Sequence, residues 1–351
     1  MQSGNDYLFL DLAGNKYIDY DNQPWWWKNA IYDMSLDGKH IRYLTGDLQT
    51  NNYSQAGAAY FNKVLFEDNF GDPEELYQTV FDRKWTLDKM AEYSSAAYKD
   101  LNGNGKVDNG DILGALCYNE WLMTHVPFTT GVRIMSRDDK GMPKIDYDMD
   151  RATYAVDTLI KFWYNTTGVV FDYTNYKVDN WTSGEALFIT ARLGTATSFR
   201  DMEDDFGVIP FPMLDDKQTE YQNIIDNSAY YATIPVTAKD VDMSSIIIEG
   251  WCAEYYRSVI DVYLEESLKL KTARDENSGK SIDIIRETNT KLLAYEYSSV
   301  INNIGTLMLT AVKKNNNNVA SDYASKIEGA NQKLHDLIEN YAKQEAELTG
   351  K

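Results

Sequence analysis

Residues 100–111, DLNGNGKVDNGD, space oxygen-bearing side chains the way a calcium loop does. Such a loop offers oxygens at positions 1, 3, 5, 7, 9 and 12, with glycine at 6 for the sharp turn. Asp100, Asn102, Asn104, Lys106, Asp108 and Asp111 fall on the six ligand positions, and Gly105 falls on the turn. Lys106 is acceptable because position 7 uses only its backbone carbonyl. Val107 is the apolar residue expected to pin the loop to a core. The plain alternative is a polar Asn/Gly turn after a helix. Asp111 is shorter than the Glu usual at position 12, and the chain carries no second copy of the motif. A sensor needs paired loops and a groove to expose, and docking modules use two loops. The expected role is therefore a structural Ca²⁺ clip inside a larger domain.

Little else in the sequence points to catalysis. Cys117 and Cys252 are the only cysteines, and His40, His125 and His335 are far apart, so neither a zinc site nor a disulfide framework is indicated. No G-x-S-x-G nucleophile motif occurs. With 54 acidic residues, spacing alone cannot single out a glycosidase-like carboxylate pair. The expectation is a protein that is not an enzyme. The net charge of -20 would repel a phosphate backbone, which excludes nucleic acid as a partner. No apolar run approaches the roughly 18 residues of a membrane span, and no signal peptide is visible at Met1. Tyr and Trp are abundant, at 26 and 8. Beyond ordinary core packing, such residues suit stacking on the apolar faces of sugars while their polar edges find partners.

The elements that must position these groups are short and mixed. HIRYLTGD (40–47) reads as a strand running into a polar loop, and AAYFNKVLFEDNF (58–70) as a strand and then a helix. DPEELYQTVFDR (72–83) reads as a helix capped by Asp72, with Pro73 at its first position. WTLDKMAEYSSAAYKD (85–100) reads as a helix capped by Thr86 that delivers the chain into the calcium loop. ILGALC (112–117) is a strand, DMDRATYAVDTLIKFWYNTTG (148–168) an amphipathic helix stopped by Gly168, and EALFIT (185–190) and DFGVIPFPM (205–213) strands. AYYATIPVTAK (229–239) is expected as another strand. Beyond about Ser244 the pattern is helical, ending in a long helix with Val319, Tyr323, Ile327, Leu334, Leu337, Ile338 and Tyr341 on one face.

The order of several phrases is more specific than any one of them. PWWWKNAIYDMSLDGKHIRYLTGD, AAYFNKVLFED, RKWTLDKMAEYSSAAYKDLNGNGKVDNGD, WTSGEALFITARL, DFGVIPFPMLDDKQTEY, ATIPVTA and TARDENSGKSIDII follow one another along nearly the whole chain. In this the sequence resembles the family 1 extracellular solute-binding proteins of bacterial ABC importers, distant relatives of maltose-binding protein. The resemblance implies an α/β, two-lobe periplasmic-binding-protein-like (type II) fold with a ligand cleft between the lobes and a helical C-terminal region. It implies one lobe from residues 1–112 plus 236–298 and another from 113–235 plus 299–351, with the calcium loop just before the first crossing. It implies a carbohydrate ligand, more naturally an oligosaccharide, and permease subunits as partners. It also implies an extracellular, cell-surface lipoprotein or periplasmic location, with membrane contact only through an N-terminal lipid anchor absent from this chain. Relatives begin with a signal peptide, a lipobox and a βαβ unit, so the chain is expected to start part-way into the first lobe.

The same resemblance marks candidate ligand residues. Asp47 in LTGDLQTN stands where relatives place a cleft-facing polar group, or is a turn residue. Glu120 and Trp121 in CYNEWL resemble a carboxylate–aromatic sugar contact. Trp26, within Trp25–Trp26–Trp27, is either a stacking surface or core. Arg192 follows EALFIT where the chain returns to the cleft, whereas Arg200 can pair with the acidic run after it. Of Tyr230 and Tyr231, one is expected to face the cleft, since successive strand residues point to opposite sides. Two other functions compete with the receptor: a calcium-dependent adhesion or docking module, and a glycoside-active enzyme.

Overall fold

The computed structural model describes residues 8–117, 126–171, 178–224, 230–260, 262–263, 275–290 and 292–349. Its strands are β1 (Gly57–Asn62), β2 (Leu113–Cys117), β3 (Met135–Arg137), β4 (Pro143–Ile145), β5 (Val169–Val170), β6 (Ala186–Arg192), β7 (Phe206–Ile209), β8 (Asn223–Ile224) and β9 (Asn289–Thr290). Five of them make one mixed sheet in the order β5-β2-β6-β1-β7. β2 lies parallel to β5 and β6, and β1 antiparallel to β6 and β7. β1, β2 and β7 are buried along their whole length, which is why they read as unbroken apolar runs and not as alternating ones. Helices Leu87–Ala97 and Glu276–Glu287 pack on β2 and β7. Gly114 permits the first of these contacts, since a Cβ there would lie 2.2 Å from the Ser94 carbonyl oxygen.

Local signals fixed several helix starts. Thr86 accepts from Lys89 N at 3.3 Å and Asp148 from Arg151 N at 3.1 Å, each satisfying an N-terminal donor. The helix expected from Pro73 runs Glu74–Phe81 with Pro73 itself as the cap, while Asp72 accepts from Glu74 N. The expected strand at 40–47 and the described part of that at 229–239 are reduced to isolated bridges, Leu44 with Ala232, Gly46 with Trp26 and Pro235 with Phe9. Pro235 has no N–H to extend a ladder.

Two hydrophobic cores stand apart. The smaller gathers Leu12, Ile18, Trp25, Trp26, Ile31, Ile41 and Leu44 with Ile234 and Cys252 from far along the chain. The larger surrounds the sheet and extends to Ile282, Ile285, Ile304, Leu307 and Leu334. The expected division at 112/113 does not follow this arrangement. β1 pairs with one edge of β6 and β2 with the other, so residues on both sides of that boundary share the larger core. Ile282, Ile285 and Ala294, expected with the first lobe, lie in it too. The chain leaves the smaller core after Leu48 and rejoins it at Ala232. The calcium loop therefore precedes an internal strand of one unit and not a crossing between two.

The long helix Val319–Thr349 joins the units from outside. Val319 and Leu334 enter the larger core, whereas the buried Tyr341 ring meets His40 and Arg42 of the smaller one. β3 makes a second tie. The Arg137 guanidinium donates to the carbonyls of Tyr32, Ser35, Leu36 and Gly141 at 3.1, 2.5, 2.8 and 2.8 Å, holding the C-terminal end of helix Lys28–Met34.

Candidate ligand cleft

Asp47 closes the segment that begins at Ile41 and is fully buried. Its N–H donates to the Trp25 carbonyl at 2.8 Å. Gly46 makes that approach possible, because a Cβ there would sit 2.2 Å from the same oxygen. The Asp47 carboxylate accepts from the Trp27 indole N–H at 2.9 Å and from the Tyr53 hydroxyl, and Arg286 Nη2 stands 3.8 Å from its other oxygen. Trp27 meets Tyr53 edge-to-face at 5.2 Å, and the Arg286 guanidinium lies 5.7 Å from the Tyr53 ring centre. Burial, and then the Asp47 charge, pushes the Tyr53 phenol well up, so it stays protonated and donates. Burial works against the Arg286 charge, but Tyr53 and Asp47 outweigh it and hold its pKa above the ordinary value.

Trp27 and Arg286 carry this cluster to a cavity of about 320 Å³. One wall is formed by Trp27, Lys28, Asn29 and Ala30, with Trp27 packed against the larger core, and the other by Asp283, Arg286, Glu287 and Asn289. An aromatic ring with its N–H already engaged, surrounded by amides, carboxylates and a guanidinium, can stack on a polyol and hydrogen-bond its hydroxyls. A second cavity, about 440 Å³, lies at the other end of helix Lys28–Met34, against residues 131–137, Gln222 and Leu292–Ala294. Its described lining contains no aromatic residue, Arg137 is committed to main-chain carbonyls, and Arg133 pairs with Asp146 at 3.1 Å. Of these two cavities, the smaller has the lining better suited to a polyol.

The residues expected from sequence are dispersed. Asp47 sits behind the cavity wall and orients Trp27 and Arg286 without facing the space itself. Trp26 is buried in the smaller core, its N–H held by Glu249 at 2.9 Å, and does not line the cavity. Arg192 ends β6, with its carbonyl accepting from the Tyr60 hydroxyl at 3.0 Å. Tyr230 is exposed and held through its backbone by Asn52, while the half-buried Tyr231 ring packs against Tyr43. None of these three lines either cavity. Glu120 and Trp121 lie outside the described residues. Trp27 was visible in sequence only as one of three tryptophans. Arg286 and Asn289, in the ordinary polar text IIRETNT, carried no local signal.

Loop 100–111 joins helix Leu87–Ala97 to β2, and its neck is closed by paired bonds between Lys99 and Ile112 at 3.0 and 3.1 Å. Asp100 accepts from Gly103 N and Gly105 N at 2.7 and 2.8 Å, and both glycines have positive φ, 71° and 72°. The buried Asp111 accepts from Leu101 N, Asp108 N and the Tyr98 hydroxyl. Among the described residues no three His, Cys, Asp or Glu side chains converge as a ready-made metal site. The Asn102 and Asn104 amide nitrogens currently donate to Asp108 at 2.9 and 2.6 Å. The all-oxygen donor set fits Ca²⁺ chemically, provided those two amides turn their oxygens inward.

No family model matches this sequence, and no curated protein matches it. The fold is nevertheless defined by solved structures: it is the two-lobe, type II periplasmic-binding-protein fold of ABC sugar-binding proteins. An ABC substrate-binding protein from Listeria monocytogenes in complex with cycloalternan is similar with a TM-score of 0.54 at 9% identity, over 97% of this chain and 82% of that one. A solute-binding protein from Thermotoga lettingae bound with α-D-tagatose gives 0.54 at 13% identity, over 95% and 82%. Maltose-bound T. maritima MalE3 gives 0.52 at 15% identity, over 94% and 80%.

Proposed function

We propose that the chain is the extracellular or periplasmic solute-binding protein of an ABC importer, holding a carbohydrate between its two units and passing it, unaltered, to a permease. The observation that carries this reading is the cavity bounded by Trp27 and by Asp283, Arg286, Glu287 and Asn289, in a fold shared with sugar-bound proteins. The indole supplies a stacking face and the polar wall supplies donors and acceptors for hydroxyls. Lys28 is paired with Asp21 at 2.9 Å, and Arg286 faces Asp47, so cationic groups do not dominate the site. That favours a neutral sugar over an anionic solute. A role for calcium is proposed beside this one: Asp100, Asn102, Asn104, the Lys106 carbonyl, Asp108 and Asp111 would hold one Ca²⁺ as a clip between helix Leu87–Ala97 and β2.

Calorimetry of wild-type protein against mono- and oligosaccharides tests the reading. Saturable binding of a neutral oligosaccharide is expected, weakened in Trp27→Ala by about 1–3 kcal/mol, the range seen when an aromatic stacking partner is removed from a base. Binding of a peptide or polyamine with no response to any sugar would overturn the ligand class. Cleavage of a bound sugar would overturn the receptor.

A further inference from the structure

Helix Val241–Tyr255 is apolar on every side, and a helix of that kind is normally covered all round. Among the described residues only one of its sides meets a core. Ser245, Cys252 and Ala253 turn inward, and Glu249 holds the Trp25 and Trp26 indole N–H groups at 3.1 and 2.9 Å. On the opposite side Met243, Ile246, Ile247 and Trp251 are 56, 50, 57 and 59% exposed. Their helical spacing makes them one continuous stripe, with the exposed Gly250 in its middle. The Trp251 N–H donates to the Leu48 carbonyl at 3.0 Å and its ring lies parallel to that of Tyr255, so the stripe is held in shape. About half the surface of these four side chains is roughly 500 Å² per copy, near the upper end of what a monomer leaves open.

We propose that this stripe is the interface of a homodimer, in which the same helix of a second copy packs against it antiparallel across a two-fold axis. Shape selects a second copy. With the axis between Ile247 and Gly250, Ile247 of each copy faces Gly250 of the other, and Ile246 faces Trp251. Gly250 is an open notch, since a Cβ there would meet nothing within 4 Å, and a facing Ile247 side chain fills it. Charge selects the same arrangement. It sets the exposed Asp240 at the start of one helix opposite the exposed Arg257 just past the end of the other, twice by symmetry. Area agrees as well. A standard interface buries about 800 Å² per partner and a homodimer interface is about 65% apolar, so the apolar share needed is roughly 500 Å². Each copy carries a net charge of -20, which opposes association, but the stripe itself is uncharged. None of its residues lines the cavity beside Trp27, so the dimer leaves that site open.

Sedimentation equilibrium of the full chain from about 1 to 100 μM spans the Kd of a modest interface. Salt at roughly 0.15 M screens the repulsion beyond about 8 Å. Wild type is expected to pass from monomer to dimer across this range. Ile247→Glu places a carboxylate in the apolar centre and should raise the dimer Kd at least about tenfold. Gly250→Leu fills the notch and should do the same. In the monomer its side chain enters open space on a helix, so its melting temperature in dilute solution should equal or exceed that of wild type. Met243→Cys and Glu254→Cys read the orientation, because these positions face one another only in the antiparallel arrangement. Under mild oxidation a mixture of the two variants should cross-link faster than either alone; the native Cys117 and Cys252 are buried and do not compete. Wild type that stays monomeric to about 100 μM would overturn the proposal and leave the stripe to a different protein. A dimer that both Ile247→Glu and Gly250→Leu leave intact would use another surface, and the proposal falls. A single-cysteine variant that cross-links with itself as fast as the mixture would overturn the antiparallel arrangement.

Discussion

Replacing Asp47 with alanine tests the organisation of the cleft from beneath. The side chain is fully buried and accepts hydrogen bonds from Trp27 and Tyr53, with Arg286 Nη2 at 3.8 Å. Each hydrogen bond to a charged acceptor contributes about 1.5–3 kcal/mol, which gives roughly 3–6 kcal/mol for the pair. Independently, removing one partner of a buried charge pair costs about 3–5 kcal/mol because the other is left uncompensated. Arg286 retains 30% side-chain exposure and its place over Tyr53, so part of its charge can be recovered by solvent. The lower half of the overlap, about 3–4 kcal/mol, is therefore expected. Asp47→Asn keeps an acceptor of the same shape and should lose only about half as much. Urea unfolding followed by tryptophan fluorescence reads both, and Arg286→Met closes a double-mutant cycle in which the combined loss falls short of the sum. An Asp47→Ala protein within about 0.5 kcal/mol of wild type, the range of ordinary surface substitutions, would refute the cluster.

Three further outcomes follow from other contacts. Arg137→Ala removes four bonds from β3 to carbonyls around the end of helix Lys28–Met34, and should cost about 2–4 kcal/mol in unfolding experiments; Arg137→Lys, a point charge without the planar fork, should recover only part, and full recovery would contradict the geometry. Arg151 grips Asp215 through two bonds of 2.5 and 2.7 Å, and this pairing, with burial opposing it, holds the Asp215 carboxyl below its usual range. The folded pKa is depressed, so the stabilisation is complete above the unfolded value of about 3.9 and is lost as pH falls through the lower folded value; Asp215→Asn should flatten that part of the acid-denaturation curve, and an unchanged curve would count against the pairing. Stripping calcium with a chelator should lower the melting temperature and adding Ca²⁺ should restore it, with about 2.7 kcal/mol gained at a hundredfold excess over Kd; an unchanged melt in metal-free protein would remove calcium from the account.

What could be read in the sequence was local. Thr86 announces its helix because a cap acts over three residues, and β1, β2, β6 and β7 announce themselves as short apolar runs between polar turns. The division into units was not legible. It depends on β1 pairing with β6 across more than a hundred residues, and on Ile234 and Cys252 completing a core begun at Leu12. Helix Val241–Tyr255 shows the same limit: its spacing was plain, but its apolar residues run round it, and sequence could not say that Cys252 and Ala253 turn inward while Ile247 and Trp251 stay exposed. In the cleft, Asp47 was legible as a polar residue closing an apolar run, yet its burial under Trp27 was not. Arg286 and Asn289 acquire meaning only because helix Glu276–Glu287 and β9 bring them opposite Trp27.

The central claim is that a sugar occupies the space between Trp27 and the wall of Asp283, Arg286 and Glu287, and a crystal structure of the protein grown with a binding oligosaccharide tests it most directly. The account predicts one pyranose ring lying on the Trp27 indole with its hydroxyls against Asp283, Arg286 and Glu287. A sugar seated instead beside residues 131–137, or on the outer surface away from both units, would contradict it.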